Sequence, residues 1–198
     1  LENEQHNLSE SGKDKFMRMQ NAAQRMQVLI NDLLTYSRTG IQETKFEKTD
    51  LSTIIEKVED DLKEELENKH LSIEINEICE VNIIPFQFRQ LIYNIISNSI
   101  KFAKNDIPLA IKVSCKIAKG ETFNFSRLSD NVNYCHISIS DNGIGFEQEF
   151  SNKIFEVFQR LHGRAEYSGT GIGLAIVKKI VDNHEGFITA TGKLNEGA

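Results

Sequence analysis

The longest periodic stretch of the chain runs from Lys13 to Arg38. Phe16, Met19, Ala23, Met26, Ile30, Leu33 and Ser37 follow one another at alternating steps of three and four, the spacing of a heptad seam on a helix. Leu29 and Leu34 widen the stripe, and Arg18, Gln24, Arg25 and Asn31 line the polar faces. Such a helix packs its stripe on its own domain or pairs in a four-helix bundle. The polar residues 1–12 read as a loop with His6 solvated, and Gly40 marks the helix end.

Shorter elements follow. Lys45 to Thr49 predicts a strand, and Asp50 caps a helix reaching about Asn68, with Leu51, Ile54, Ile55, Val58 and Leu62 inward. Leu71 to Ile75 alternates as a strand and Ile78 to Ile84 supplies another. Pro85 opens a helix running to Lys104 around Ile92, Ile95, Ile96 and Ile100. Leu109–Lys116 and Asn133–Ser140 read as paired strands. The polar connection between them carries Phe123 and Phe125, which pack locally or meet a partner. A last helix points Leu174, Val177, Ile180 and Val181 to the core, and Gly186 to Ala190 predicts a strand.

Composition narrows the classes. The 198 residues suit one medium domain or a domain plus an extension, and the net charge of −6 speaks mildly against a nucleic-acid binder. No apolar run is long enough to cross a bilayer, and the N-terminus lacks a signal pattern. Cys79, Cys115 and Cys135 are isolated and without CxxC spacing, so reduced thiols and a cytoplasmic setting are expected, with neither zinc nor disulfide.

Three stretches concentrate groups that a core does not need. Asn94, Asn98 and Lys101 share one side of the Pro85 helix, beside its apolar stripe. Asn is a weaker helix former than Leu or Ala, so this side faces a ligand or, more plainly, hydrogen-bonds a neighbouring element. Asp141 shares its strand face with Ile137 and Ile139, which sets a carboxylate at the end of an apolar row, where it needs a donor. Gly143 and Gly145 then permit a turn or a close backbone approach. The pattern suits a flat ligand with an N–H donor, such as adenine; an ordinary β-turn is the other reading. Gly169-Thr-Gly-Ile-Gly173 precedes a helix and frees backbone N–H groups for an anion. It lacks the GxxxxGK[ST] pattern, and a polar segment rather than a strand leads into it, unlike a dinucleotide loop.

In this order and spacing, Gln90–Lys104, Asp141–Gly145 and Gly169–Leu174 resemble the N box and the two glycine boxes of sensor histidine kinases. Those kinases share a wider family with the Hsp90, gyrase B and MutL ATPases. Phe155-Glu-Val-Phe158 resembles their F box, and Asp32 to Arg38 resembles the end of the second helix of their dimerisation hairpin. The resemblance implies an α/β two-layer sandwich of the Bergerat type, with a mixed sheet covered by helices on one face and one long bundle helix ahead of it. Residues 1–40 would be part of the hairpin. Residues 41–198 would be the catalytic domain, ending short of the family's last strand. ATP and Mg²⁺ are the implied cofactors, with Asn98 on the metal and Asn94 and Lys101 toward the phosphates. Asp141, Gly143, Ile144, Gly145, Gly169, Thr170, Gly171, Gly173 and Leu174 would surround the nucleotide. A lid over 146–167 would bring Arg160, with Phe155 and Phe158 turning inward together.

The implied activity is transfer of the γ-phosphoryl group to a His, and from it to an Asp of a response regulator. The implied partners are that regulator's receiver domain and a second copy through helix 13–38. Membrane contact would come only through upstream segments. The phosphoacceptor helix is expected ahead of residue 1, since no His here has its setting. A clamp-type ATPase is the first rival, opposed by the short lid, the Phe pair and the heptad helix. A non-catalytic dimerisation module is the second, opposed by the complete boxes.

Overall fold

The computed structural model describes residues 9–38, 45–68, 71–123, 127–161 and 169–198. Helix α1 spans Glu10–Arg38, so Glu10, Ser11 and Gly12 begin the helix and not the expected loop, with Ser9 Oγ accepting from Gly12 N at 3.2 Å. Strand β1 (Glu47–Asp50) runs into α2 (Leu51–Asp61), and the Asp50 carboxylate caps that helix by accepting from Ser52 N at 2.9 Å. The helix expected to reach Asn68 is in two pieces, because Leu62 leaves helical geometry before α3 (Lys63–Asn68). Leu62 is buried at that break. Strands β2 (Ser72–Asn76) and β3 (Glu80–Ile83) precede α4 (Pro85–Lys101). Helix α4 stops three residues before the expected Lys104. The Phe102 carbonyl accepts from Ile144 N at 3.0 Å, which draws the chain out of the helix. Strands β4 (Ala110–Lys119) and β5 (Asn133–Asp141) pair antiparallel, and α5 spans Gly173–Asn183.

The strands form an antiparallel β1–β3 pair and a mixed sheet β2–β4–β5, in which β2 runs parallel to β4. Helices α2, α4 and α5 cover the sheets. Their buried Leu51, Ile55, Val58, Ile92, Ile96, Val177 and Ile180 meet Val81, Ile83, Ile111 and Val113. Ala175 and Ile176 are buried as well, so the α5 stripe is wider than expected, while Leu174 and Val181 are half-buried against the core. Most of the α1 stripe takes no part in this core. Met19, Met26, Ile30, Leu33 and Leu34 are exposed, and only Leu29 and Tyr36 reach it.

Gly186 to Ala190 is not a strand. The Gln148 amide serves the backbone there, donating to the Ala190 carbonyl and accepting from Gly192 N. The edge of β5 is taken instead by Ala198, which exchanges two backbone hydrogen bonds with Asp141. Phe123 packs locally, with its ring centroid 5.3 Å from that of His136; Phe125 lies outside the described residues, as do His6, Gly40 and His70. The expectation of three separate thiols is also corrected. Cys79 and Cys115 form a disulfide, with Cys135 close by, because β4 pairs with β2, which leads into Cys79, and with β5, which carries Cys135.

His184 joins the helical layer to the start of α4. Its Nε2 accepts from Ile84 N at 3.0 Å, and Nδ1 lies 2.7 Å from the Ile180 carbonyl, to which it donates. That pattern requires the neutral ring, and burial holds its pKa below the ordinary 6.5. The unfolded chain then takes up a proton that the folded one refuses. Stability is expected to be level at neutral pH and above, and to fall once the pH drops below 6.5, by at most about 1.4 kcal/mol per pH unit. The loss ends below the folded-state pKa. Denaturant titrations across this range test it; a His184→Gln chain should lose the slope.

Candidate functional site

Helix α4, the end of β5 and the start of α5 converge on one place. Asn94, Asn98 and Lys101 are all half-buried on α4. Asn94 Nδ2 is buried and has no hydrogen-bond partner among the described residues, an expensive state for an amide unless something else completes it. A Cβ on Gly173 would stand 3.5 Å from Asn94 Oδ1, so the first residue of α5 lies against this amide.

Lys101 lies against the second glycine stretch. A Cβ on Gly169, whose φ is +144°, would stand 2.5 Å from Lys101 Nζ. Burial lowers the pKa of Lys101, and the Arg160 guanidinium nearby lowers it further. Among the described residues no carboxylate pairs with Lys101. Two cations are thus held together beside the start of α5, where no side chain caps the first turn. Backbone N–H groups and the helix dipole there favour an anion.

Asp141 lies at the other side of α4. Ser99, buried and next to Asn98 in the chain, donates to Asp141 Oδ2 at 2.7 Å, and Gly143 N donates to Oδ1 at 2.9 Å. A carboxylate has about four lone-pair sites, so both oxygens can still accept from a ligand. Ser99 is the functional residue that the periodicity missed. Its place in the apolar helix stripe reads as core, and only the β5 register discloses its partner.

Ile144 bridges elements, donating to Phe102 and accepting from Asn195 N at 2.7 Å. Gly145 has φ +62°, and a Cβ there would lie 2.1 Å from the Lys193 carbonyl. Its missing side chain therefore makes room for the 193–197 turn rather than for a ligand.

The expected inward Phe pair is half right. Phe155 is half-buried, in a 3₁₀ turn packed on α5. Phe158 is 57% exposed with φ +66°, because its backbone N–H is held by the Gly171 carbonyl at 2.9 Å. His162, Arg164 and Tyr167 lie outside the described residues.

Thr170 donates to Asp32 of α1 at 2.5 Å, and Lys179 of α5 donates to the Tyr36 carbonyl while lying over the Tyr36 ring. The long helix is thereby tied to the second glycine stretch, through Asp32, Tyr36 and Lys179, which nothing local marks. Leu174 is half-buried against the core, below the loop.

Known proteins are similar to this chain in sequence and in fold. The family profile described as "Histidine kinase-, DNA gyrase B-, and HSP90-like ATPase" matches residues 84–198. The phytochrome-like protein Cph1 of Synechocystis sp. is 36% identical over 191 residues, which is 96% of this chain and 24% of that protein. Cyanobacterial phytochrome A of Nostoc sp. is 37% identical over 87% of this chain and 21% of its own length. The autoinducer 2 sensor kinase/phosphatase LuxQ of Vibrio vulnificus is 31% identical over 90% of this chain and 20% of its own. The chain thus spans about a quarter or less of the curated relatives it matches. In fold it resembles full-length ShkA, solved in complex with AMPPNP, with a TM-score of 0.67 at 19% identity over 96% of this chain and 38% of that one. It also resembles the histidine kinase ThkA solved with the response regulator TrrA, with a TM-score of 0.63 at 20% identity over 96% and 51%. The core described above, the boxes on α4, β5 and α5 and the profile match agree: the chain belongs to the histidine kinase-, DNA gyrase B- and HSP90-like ATPase family.

Proposed function

We propose that residues 41–198 are the ATP-binding catalytic domain of a sensor histidine kinase, and that α1 is the second helix of its dimerisation hairpin. The observation that carries this reading is the pair of half-buried cations, Lys101 and Arg160, beside Gly169 and the uncapped start of α5. A triphosphate neutralises such a pair and takes the open N–H groups of the helix. Asp141, buttressed by Ser99 and Gly143, accepts from the exocyclic amine of adenine.

Mg²⁺ fits the donors present. The unpartnered buried Nδ2 of Asn94 is a donor that suits a phosphate oxygen, while Asn98, on the same side of α4, offers an amide oxygen. Amide oxygens together with substrate phosphates are hard donors that suit this ion. Asn98 would hold it, and when bound it would neutralise charge on the phosphates. The chain's own residues position the substrate: Lys101 and Arg160 draw the phosphates to α5, while Asp141 sets the adenine. Positioning and charge neutralisation are most of what phosphoryl transfer asks of a protein. The γ-phosphoryl group goes to a His on the hairpin's other helix, then to an Asp of a response-regulator receiver domain.

Asn98→Ala is expected to weaken ATP binding about tenfold with Mg²⁺ and hardly at all with a chelator. Calorimetry under both conditions tests this. Equal losses would make Asn98 a structural residue, and absence of any ATP binding by the unaltered chain would overturn the whole reading.

The exposed stripe of α1 is the surface for a second copy. Met26 and Ile30 are more than half exposed, at 58% and 52%, and a four-helix bundle would bury them. Met26→Asp is expected to abolish association, measured by sedimentation on a chain carrying both hairpin helices, with nucleotide affinity unchanged. Monomeric behaviour of the unaltered two-helix chain would count against this.

A further inference from the structure

Three cysteines meet at the end of the β4–β5 pair remote from Asp141. Cys115 lies on β4 opposite Ile137, and Cys135 lies on β5 opposite Ile117, which puts them diagonally on one face. Cys79 precedes β3, and the connection leading to it is held to β4 by a 2.9 Å bond from Cys115 N to the Glu77 carbonyl. All three sulphurs lie within 4.8 Å of one another. Cys115 is buried, Cys79 half-buried and Cys135 exposed.

The Cys79–Cys115 disulfide accounts for only two of them. Cys135 Sγ lies 3.1 Å from Cys115 Sγ and 3.7 Å from Cys79 Sγ. It therefore stands beside the bond, not on its extension. Thiol–disulfide exchange proceeds by attack on one sulphur with departure of the other, and a sulphur beside the bond is badly placed for that. Three sulphurs in a triangle are instead placed around a point. Metal–thiolate bonds of about 2.3 Å set neighbouring sulphurs roughly 4 Å apart; Cys135 is already 3.7 Å from Cys79, while its 3.1 Å from Cys115 and the bonded Cys79–Cys115 pair must widen once the disulfide is reduced.

We propose that, once reduced, Cys79, Cys115 and Cys135 form a three-thiolate site for one thiophilic cation of the zinc and cadmium class. Reduction by an external thiol gives each of Cys79 and Cys115 one hydrogen and turns two reductant thiols into a disulfide. Each of the three cysteines then releases its proton as its thiolate takes the ion. Soft sulphur ligands select such metals over Mg²⁺. No His, Asp or Glu joins the three among the described residues, so the fourth position belongs to water on the exposed Cys135 side. The ion ties the β2–β3 connection to both strands. Cys135 and Asp141 are six positions apart on β5, about 20 Å, so the site is independent of nucleotide binding.

The probe is Cd²⁺, titrated into protein reduced with a phosphine that is then removed. One equivalent should raise the ultraviolet thiolate-to-cadmium charge-transfer band, and Zn²⁺ should displace it. Cys135→Ser, an exposed position, should keep the thermal midpoint and ATP affinity, lose about a third of the band, and bind on the order of a hundredfold more weakly. Any one of three results would overturn the proposal: no band in the reduced protein, an unchanged band and affinity in Cys135→Ser, or equally tight binding by the oxidised protein.

Discussion

Replacing Asp141 by Asn is expected to weaken ATP binding about a hundredfold, roughly 2.7 kcal/mol. The carboxylate takes a hydrogen bond from Ser99 on one oxygen and from the Gly143 backbone on the other. Adenine adds a third donor. An Asn at this place presents an amide N–H₂ where one of the three donors points. Either Ser99 must turn its hydroxyl away or the adenine amine meets another donor. A site built for one polar partner discriminates strongly when the pairing is wrong. The measurement is calorimetric ATP affinity, with the thermal midpoint as the control for folding. Ser99→Ala should have a smaller effect, since Gly143 still orients the carboxylate. Unchanged ATP affinity in Asp141→Asn would move the adenine elsewhere.

The 198 residues are expected to bind ATP with Mg²⁺ and yet to carry no phosphoryl label after incubation with γ-labelled ATP. Transfer needs the nucleophile in line with the γ-phosphate and near it. Both nitrogens of His184 are committed to Ile84 and Ile180. His136 lies on β5 against Phe123, next to the cysteine cluster and far along the sheet from Lys101. His6, His70 and His162 lie outside the described residues, and none has the acidic neighbour of a phosphoacceptor helix. Supplying that helix, in the same chain or on a partner, should restore acid-labile, base-stable phosphohistidine. Label on His6 in the 198 residues alone would overturn the argument.

Much of this protein could be read from local pattern. Period and caps located α1, α2, α4 and α5, since an apolar stripe and an Asp50 cap are properties of a few adjacent residues. The grouping of Asn94, Asn98 and Lys101 followed from helical geometry for the same reason. The order and spacing of the Asn-bearing helix stretch and the two glycine stretches together pointed to the family. What local pattern could not supply was any contact between distant residues. Ser99 and Asp141 are 42 positions apart, and their bond exists only because α4 packs over the end of β5. Phe158 has an aromatic side chain that periodicity sends inward, but the Gly171 carbonyl holds its backbone and turns it out. Gly186 to Ala190 has the composition of a strand, but the edge it would occupy is filled at Asp141 by Ala198. The three cysteines have no motif spacing, and only the pairing of β4 with β5 and with the stretch that follows β2 makes them neighbours. Periodicity reports which side of an element is apolar; the packing of elements against one another decides which polar groups on those sides meet.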